Sequence, residues 1–277
     1  MAFRFQSVFR MSSRRQDIHD ATPQHESETE QAFCRRLLDG LDYALQPIVS
    51  IQTGTAYGFE ALLRGYERLG FDSTWALLDH AHEQGWLAAV DLALHELALA
   101  KFAHLPQASQ FKCFLNMDPR TLSLGRAHRA RVDDLVARLA LPPSILCYEI
   151  TERLAQIEAR TINAGLAILR EHRQGVAFDQ FGRGAIGFKN LYETPPDTVK
   201  IDRFFIDGLA HQAKKKLFMS NLVDLAHVLG ITVVAVGVEE ELDLLACKEA
   251  GCDLLQGYLI ARPTVETREL RTRYEEI

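Results

Sequence analysis

From about Leu38 onward, short apolar runs alternate with longer stretches whose apolar residues recur at helical spacing. The short runs predict strands over 44–51, 56–62, 110–115, 145–150, 175–179, 198–201, 231–236 and 254–258. The longer stretches predict helices over 73–83, 88–103, 131–140, 153–172, 214–229 and 239–250, with Gly230 and Gly251 placed as C-terminal caps just before a strand. Strand and helix in regular alternation is the pattern of parallel βα units, and eight of them suggest a closed barrel. Thr53-Gly54, between the first two strands, is too short for a helical crossover. That pair is therefore predicted to be antiparallel. The fold class is α/β: a modified TIM-like (β/α)8 barrel whose first strand runs against the others.

Composition narrows the class. A chain of 277 residues with 47% hydrophobic and 25% charged residues is too apolar to be disordered and long enough for one barrel-sized core. No linker rich in Pro, Gly or Ser follows residue 40, so 41–277 reads as one domain and the mostly polar 1–40 as a flexible N-terminal extension. Phe3, Phe5, Val8 and Phe9 are the apolar exceptions in that extension. No apolar stretch approaches the ~20 residues needed to cross a bilayer, and no signal-peptide core is present, so a cytoplasmic protein without a membrane span is expected.

A net charge of −6 gives no reason to expect a nucleic-acid polymer as partner. The five cysteines, Cys34, Cys113, Cys147, Cys247 and Cys252, lack CxxC spacing and read as reduced, structural residues. The histidines show no zinc-binding spacing, and Trp75 and Trp86 read as packing residues. Phe204 and Phe205 are expected to seat the chain against the barrel.

The candidate chemistry sits at the ends of the strand-like runs. Glu60 and Arg64 lie in Gly58-Phe59-Glu60-Ala61-Leu62-Leu63-Arg64, Asn116 follows 111–115, and Glu149 and Glu152 flank Ile150-Thr151. Asp179, Lys200 and Glu239 end or follow later runs. Residues at the carboxyl ends of barrel strands meet at one mouth, so these would converge although scattered in sequence. Acids, an amide and a lysine gathered there describe a metal-phosphate site.

Taken in order, these residues resemble the EAL domain, a family of bacterial cyclic di-GMP phosphodiesterases and receptors. The resemblance runs from about Leu41 to Pro263. It rests on Gln46-Pro47-Ile48, Glu60-Ala61-Leu62 with Arg64, Asn116, Tyr148-Glu149-Ile150-Thr151-Glu152, and Asp179 with Phe181-Gly182. It continues through Val199-Lys200-Ile201-Asp202, Gly237-Val238-Glu239 and Gln256-Gly257-Tyr258. No diguanylate cyclase signature accompanies it.

By resemblance, active members hold two Mg or Mn ions and cut one phosphodiester bond of cyclic di-GMP to give pGpG. Glu60, Asn116, Glu149 and Asp179 match ligands of the first metal, Lys200 the lysine that orients the attacking water, and Glu152 the acid that holds the following loop. Arg64 matches a phosphate-gripping arginine and Asp91 a guanine reader; Gln46, Leu62, Glu239 and Gln256 complete the implied ligand-binding set. Two departures stand out. Gln180 replaces the second of two adjacent aspartates, and Val236 replaces the first glutamate of Glu-Gly-Val-Glu. Arg183, Ala185, Ile186 and Gly187 also depart from the family's loop.

A degenerate EAL domain that binds cyclic di-GMP as a receptor, with at most one weakly held cation and little or no hydrolysis, is therefore the leading expectation. An active phosphodiesterase and a nucleotide-independent regulator of a partner protein are the alternatives. The lysine run Lys214-Lys215-Lys216 and the altered loop motivate the last of these. The family's habit of pairing through helices near that loop makes a homodimer plausible.

Overall fold

A computed structural model describes residues 28–151, 157–183 and 188–274. Its eight strands close a barrel in sequence order. They are β1 (Asp42–Ser50), β2 (Ala56–Arg64), β3 (Lys112–Asn116), β4 (Leu146–Ile150), β5 (Gly175–Phe181), β6 (Thr198–Ile201), β7 (Thr232–Val236) and β8 (Leu254–Gln256). β1 is antiparallel to both neighbours, β2 and β8, while all other pairs are parallel. The reversal follows from the turn at Thr53-Gly54. Gly54 has φ +64°, and a Cβ there would stand 2.5 Å from the Tyr274 carbonyl oxygen, so only glycine fits this turn.

All eight predicted strands form, with shifted ends. β8 stops at Gln256 rather than at 258 because its carbonyl already accepts the N–H groups of Gly237 and Val238, at 2.7 and 3.1 Å. Gly257 then passes so close to Val238 that a Cβ would overlap its backbone.

The helices are α1 (Glu30–Gly40), α2 (Thr74–Glu83), α3 (Leu87–Phe102), α4 (Gly125–Arg138), α5 (Ala159–Glu171), α6 (Phe188–Glu193), α7 (Arg203–Ile206), α8 (Ala213–Val228) and α9 (Glu241–Glu249). Ser73 caps α2 by accepting from the Ala76 N–H at 3.1 Å. Gly230 and Gly251 take positive φ just past α8 and α9, as their spacing predicts. The first residues of the helix predicted over 153–172 lie outside the described residues. No helix among the described residues is long and apolar enough to cross a membrane.

Three expectations change. Helix α1 falls inside the segment assigned to a flexible extension, yet Thr29 caps it and Phe33, Cys34 and Leu37 are buried. These three at one-and-four spacing make a narrow apolar stripe that polar neighbours mask. Helix α4 begins at Gly125, ahead of the predicted 131, because its inward face in the first turns carries His128 and Arg129, polar residues that apolar periodicity does not count. Phe204 does not seat the chain: it is 66% exposed, and it is Phe205 that stacks on Phe218, ring centroids 4.7 Å apart.

Side chains fill the barrel in layers. Ile48, Phe114, Cys147, Ala177, Val234 and Leu254 form a buried apolar plug across its middle. Outside the strands a second core, including Phe33, Phe59, Leu99, Phe102, Tyr148 and Phe178, joins sheet to helices. All five cysteines are free and buried, and Trp75 and Trp86 pack against the outer core.

Candidate active site at the barrel mouth

Alternation along each strand aims one further residue inward above the apolar plug, at the carboxyl ends of the parallel strands. These are Glu60, Asn116, Glu149, Asp179, Lys200, Val236 and Gln256. Lys200, 1% exposed, lies at the centre. Its Nζ donates to Glu60 Oε2 at 2.8 Å and to Glu149 Oε1 at 2.5 Å, and lies 3.9 Å from Asp179 Oδ1. Asn116 Nδ2 donates to Glu60 Oε1 at 3.4 Å, and Gln256 Nε2 donates to Glu60 Oε2 at 2.6 Å and to Gln46 Oε1 at 3.1 Å.

Burial and charge compete here. Burial alone would drive a proton off Lys200, but the carboxylates of Glu149, Glu60 and Asp179 outweigh it and hold its pKa above the ordinary lysine value. Burial pushes Glu60 upward, and the Lys200 ammonium with the Gln256 amide brings it below the usual carboxylate range. Glu149 goes the other way: burial, then repulsion from Glu60, raises it well above that range despite Lys200. Asp179 is raised, chiefly by burial. Lys200 is thus paired with both Glu149 and Glu60.

The oxygens of Glu60, Asn116, Glu149 and Asp179 suit one hard divalent cation. Glu149 Oε2 is buried without a hydrogen-bond partner, as an oxygen meant for a cation would be. As placed, no three His, Cys, Asp or Glu side chains among the described residues stand together as a metal cage; the Lys200 ammonium occupies the space between the carboxylates. Val236 offers no ligating atom, and Gln180, exposed at φ 52° in the bulge where β5 and β6 lose register, brings a neutral amide.

Other expected site residues lie apart from this cluster. Arg64 is half-buried, with Nη1 donating to its neighbour's carbonyl at Leu63, 3.0 Å; Leu62 is half-buried beside it. Glu239 makes a bidentate pair with Arg203 at 2.6 and 2.8 Å. Glu152, Ala185, Ile186 and Gly187 lie outside the described residues, as do Phe3, Phe5, Val8 and Phe9.

Asp91 on α3 is engaged from α4. It accepts from His128 Nε2 at 2.6 Å and stands 3.3 Å from His95 Nδ1 and 3.6 Å from Arg129. Burial raises the Asp91 carboxyl, but these neighbours overcome it and bring it down to about 2. His95 in turn meets the Tyr148 hydroxyl at 2.8 Å, and Arg129 lies over the Tyr148 ring. Sequence inspection missed this cluster, since its members are 37 and 53 positions apart and carry no motif.

A closed barrel of this topology, with carboxylates and a lysine gathered at its strand ends, defines a β/α-barrel protein with its polar cluster at the mouth. The EAL domain model matches residues 28–263, and the chain belongs to the EAL domain family of cyclic di-GMP-binding proteins and phosphodiesterases. Cyclic di-GMP phosphodiesterase RocR of Pseudomonas aeruginosa is 31% identical over 265 residues, which cover 93% of this chain and 66% of RocR. This chain therefore spans slightly less than two thirds of that relative's length. The manganese and cyclic di-GMP complex of BlrP1 from Klebsiella pneumoniae superposes with a TM-score of 0.72 at 27% identity, over 81% of this chain and 56% of that one. A standalone EAL protein of Vibrio cholerae in its cyclic di-GMP-bound form also gives 0.72, at 25% identity, over 81% and 92% of the two chains.

Proposed function

We propose that this chain is a cyclic di-GMP receptor and regulator with little or no hydrolysis. The observation that carries the reading is Val236 at the end of β7, an apolar side chain where a two-metal centre needs an oxygen. Gln180 adds to it by removing a second charge. When bound, a pair of Mg or Mn ions supplies an activated nucleophile and a clamp on the leaving oxygen. Glu60, Asn116, Glu149 and Asp179 would hold one such ion, and Lys200 already offsets much of their charge. Loss of a positioned acid or base costs on the order of 10² to 10⁴ in rate. Binding relies on other groups, with Arg64, Gln46, Gln256 and Leu62 the ones this reading assigns to the dinucleotide.

Titration calorimetry with cyclic di-GMP, with and without Mg²⁺, should give saturable heat, while pGpG stays at background on prolonged incubation. Absence of heat at millimolar ligand sinks the receptor reading. Brisk release of pGpG would instead establish the second reading, an active phosphodiesterase. What favours that alternative is the gathering of Glu60, Asn116, Glu149, Asp179 and Lys200 in one cluster, more than a pure binder requires. A receptor also needs a surface to pass its signal on. The exposed Tyr192, Phe204 and Leu217 are the apolar side chains this reading assigns to contact with a downstream protein or a second copy of the chain.

A further inference from the structure

The plug of Ile48, Phe114, Cys147, Ala177, Val234 and Leu254 closes the barrel below the mouth. Beneath it, at the amino ends of the strands, opens a separate cavity of about 420 Å³ whose floor includes Cys147. Lys112, Gly175, Thr198 and Thr232, the first residues of β3, β5, β6 and β7, form its rim. Neither the EAL family match nor the mouth chemistry accounts for this space.

Its charge is lopsided. Lys112, Arg170 and Arg173 face it against a single carboxylate, Asp197, and Asp197 Oδ2 already accepts the Val176 N–H at 2.8 Å. Lys112 Nζ is anchored on the Ser144 carbonyl at 2.6 Å and Arg170 Nη2 on the Pro195 carbonyl at 2.8 Å. Each anchor uses one donor and leaves further N–H groups of the same side chain for a ligand. Among the described residues the Arg173 guanidinium has no hydrogen-bond or ion-pair partner.

Arg173, like Ala140 after α4, is a non-glycine residue with a left-handed backbone at a helix end. It sits just past α5 at φ 58°, in the left-handed position that Gly230 and Gly251 fill after α8 and α9. Its N–H reaches the Arg170 carbonyl, and the Gln174 N–H reaches that of Leu169, the same closure made at the other two helix ends. Glycine would serve this turn better, so the turn itself gives no reason for an arginine. Next to it, Gln174 is buried, donates through Nε2 to Asp133 at 2.9 Å, and keeps Oε1 without a partner. The three cations around the opening suit a phosphate. The partly exposed Tyr57 ring supplies an apolar wall.

We infer that this cavity is a second ligand site, specific for a small phosphate monoester of nucleoside-monophosphate size. The volume is within the range of ligand pockets. Lys112, Arg170 and Arg173 hold the phosphate. The plug keeps this ligand apart from any bound at the mouth.

The test titrates the full chain with inorganic phosphate and with adenosine 5′-monophosphate, following the backbone amide resonances of Gly175, Thr198 and Thr232. Saturable shifts at these amides are expected, tighter for the nucleotide than for phosphate. Arg173→Gly suits the left-handed turn, so it should leave the melting temperature unchanged or higher while weakening binding by at least about tenfold. Arg64→Ala, at the other end of the barrel, should leave the titration as it is. Amides that do not shift, or equal affinity in the wild-type, Arg173→Gly and Lys112→Met chains, would overturn the inference.

Discussion

Lys200 stands where three acids would otherwise repel one another, and its removal exposes what it balances. Lys200→Met leaves Glu60 and Glu149 buried without their cation, a change expected to cost about 3–5 kcal/mol in urea denaturation. Added Mn²⁺ should recover part of that loss if the carboxylates can close on a metal. Val236→Glu combined with Gln180→Asp returns the two missing acids, and pGpG formation should rise by at least about 10²-fold. Unchanged turnover would show that these two positions do not limit the chemistry. At Asp91 the expected effect is on stability. Its folded pKa of about 2 lies below the ordinary 3.8, so its contribution is present above about pH 4 and disappears as pH falls towards 2. His95 is held below its ordinary 6.5, chiefly by burial, so its neutral ring favours the fold above that pH and opposes it below. Both act in one direction: with His128, Arg129 and Tyr148 packed around them, the melting temperature should fall below pH 6.5, and Asp91→Asn should flatten the part below pH 4. The strand-end acids were legible because each closes an apolar run. The surroundings of Asp91 were not, because only the packing of α3 on α4 and β4 brings them together.

At the scale of elements, the strands were read from sequence because burial on both faces makes each a nearly unbroken apolar run. Helix ends were harder wherever polar residues are buried, as at His128 and Arg129 of α4. Helix α1 shows the converse case, in which few apolar residues do much of the packing. Phe33, wholly buried, meets Trp86 at 5.4 Å and Phe71 at 6.2 Å between ring centroids. Phe33→Ala should therefore cost about 3–5 kcal/mol, measured by chemical denaturation of the full chain. A loss under about 1 kcal/mol would mean that α1 is an appendage rather than part of the body.

For the whole molecule, the reversed first strand decides how the ring is shut. β1 meets β2 along its length but meets β8 only through Val49 with Leu255 and Ser50 with Leu254, while Leu45 and Thr264 exchange backbone hydrogen bonds at 2.8 and 3.1 Å above them. Hydrogen exchange should accordingly be faster at Ile51 and Leu45, whose N–H groups bond across this junction, than in the centre of β3 or β4. Uniform protection around the ring would count against this. Gln46 and Gln256 face each other across the junction, and Gln256 also steadies Glu60. A fluctuation that unzips these few residues would loosen the acid paired with Lys200 before the rest of the barrel yields.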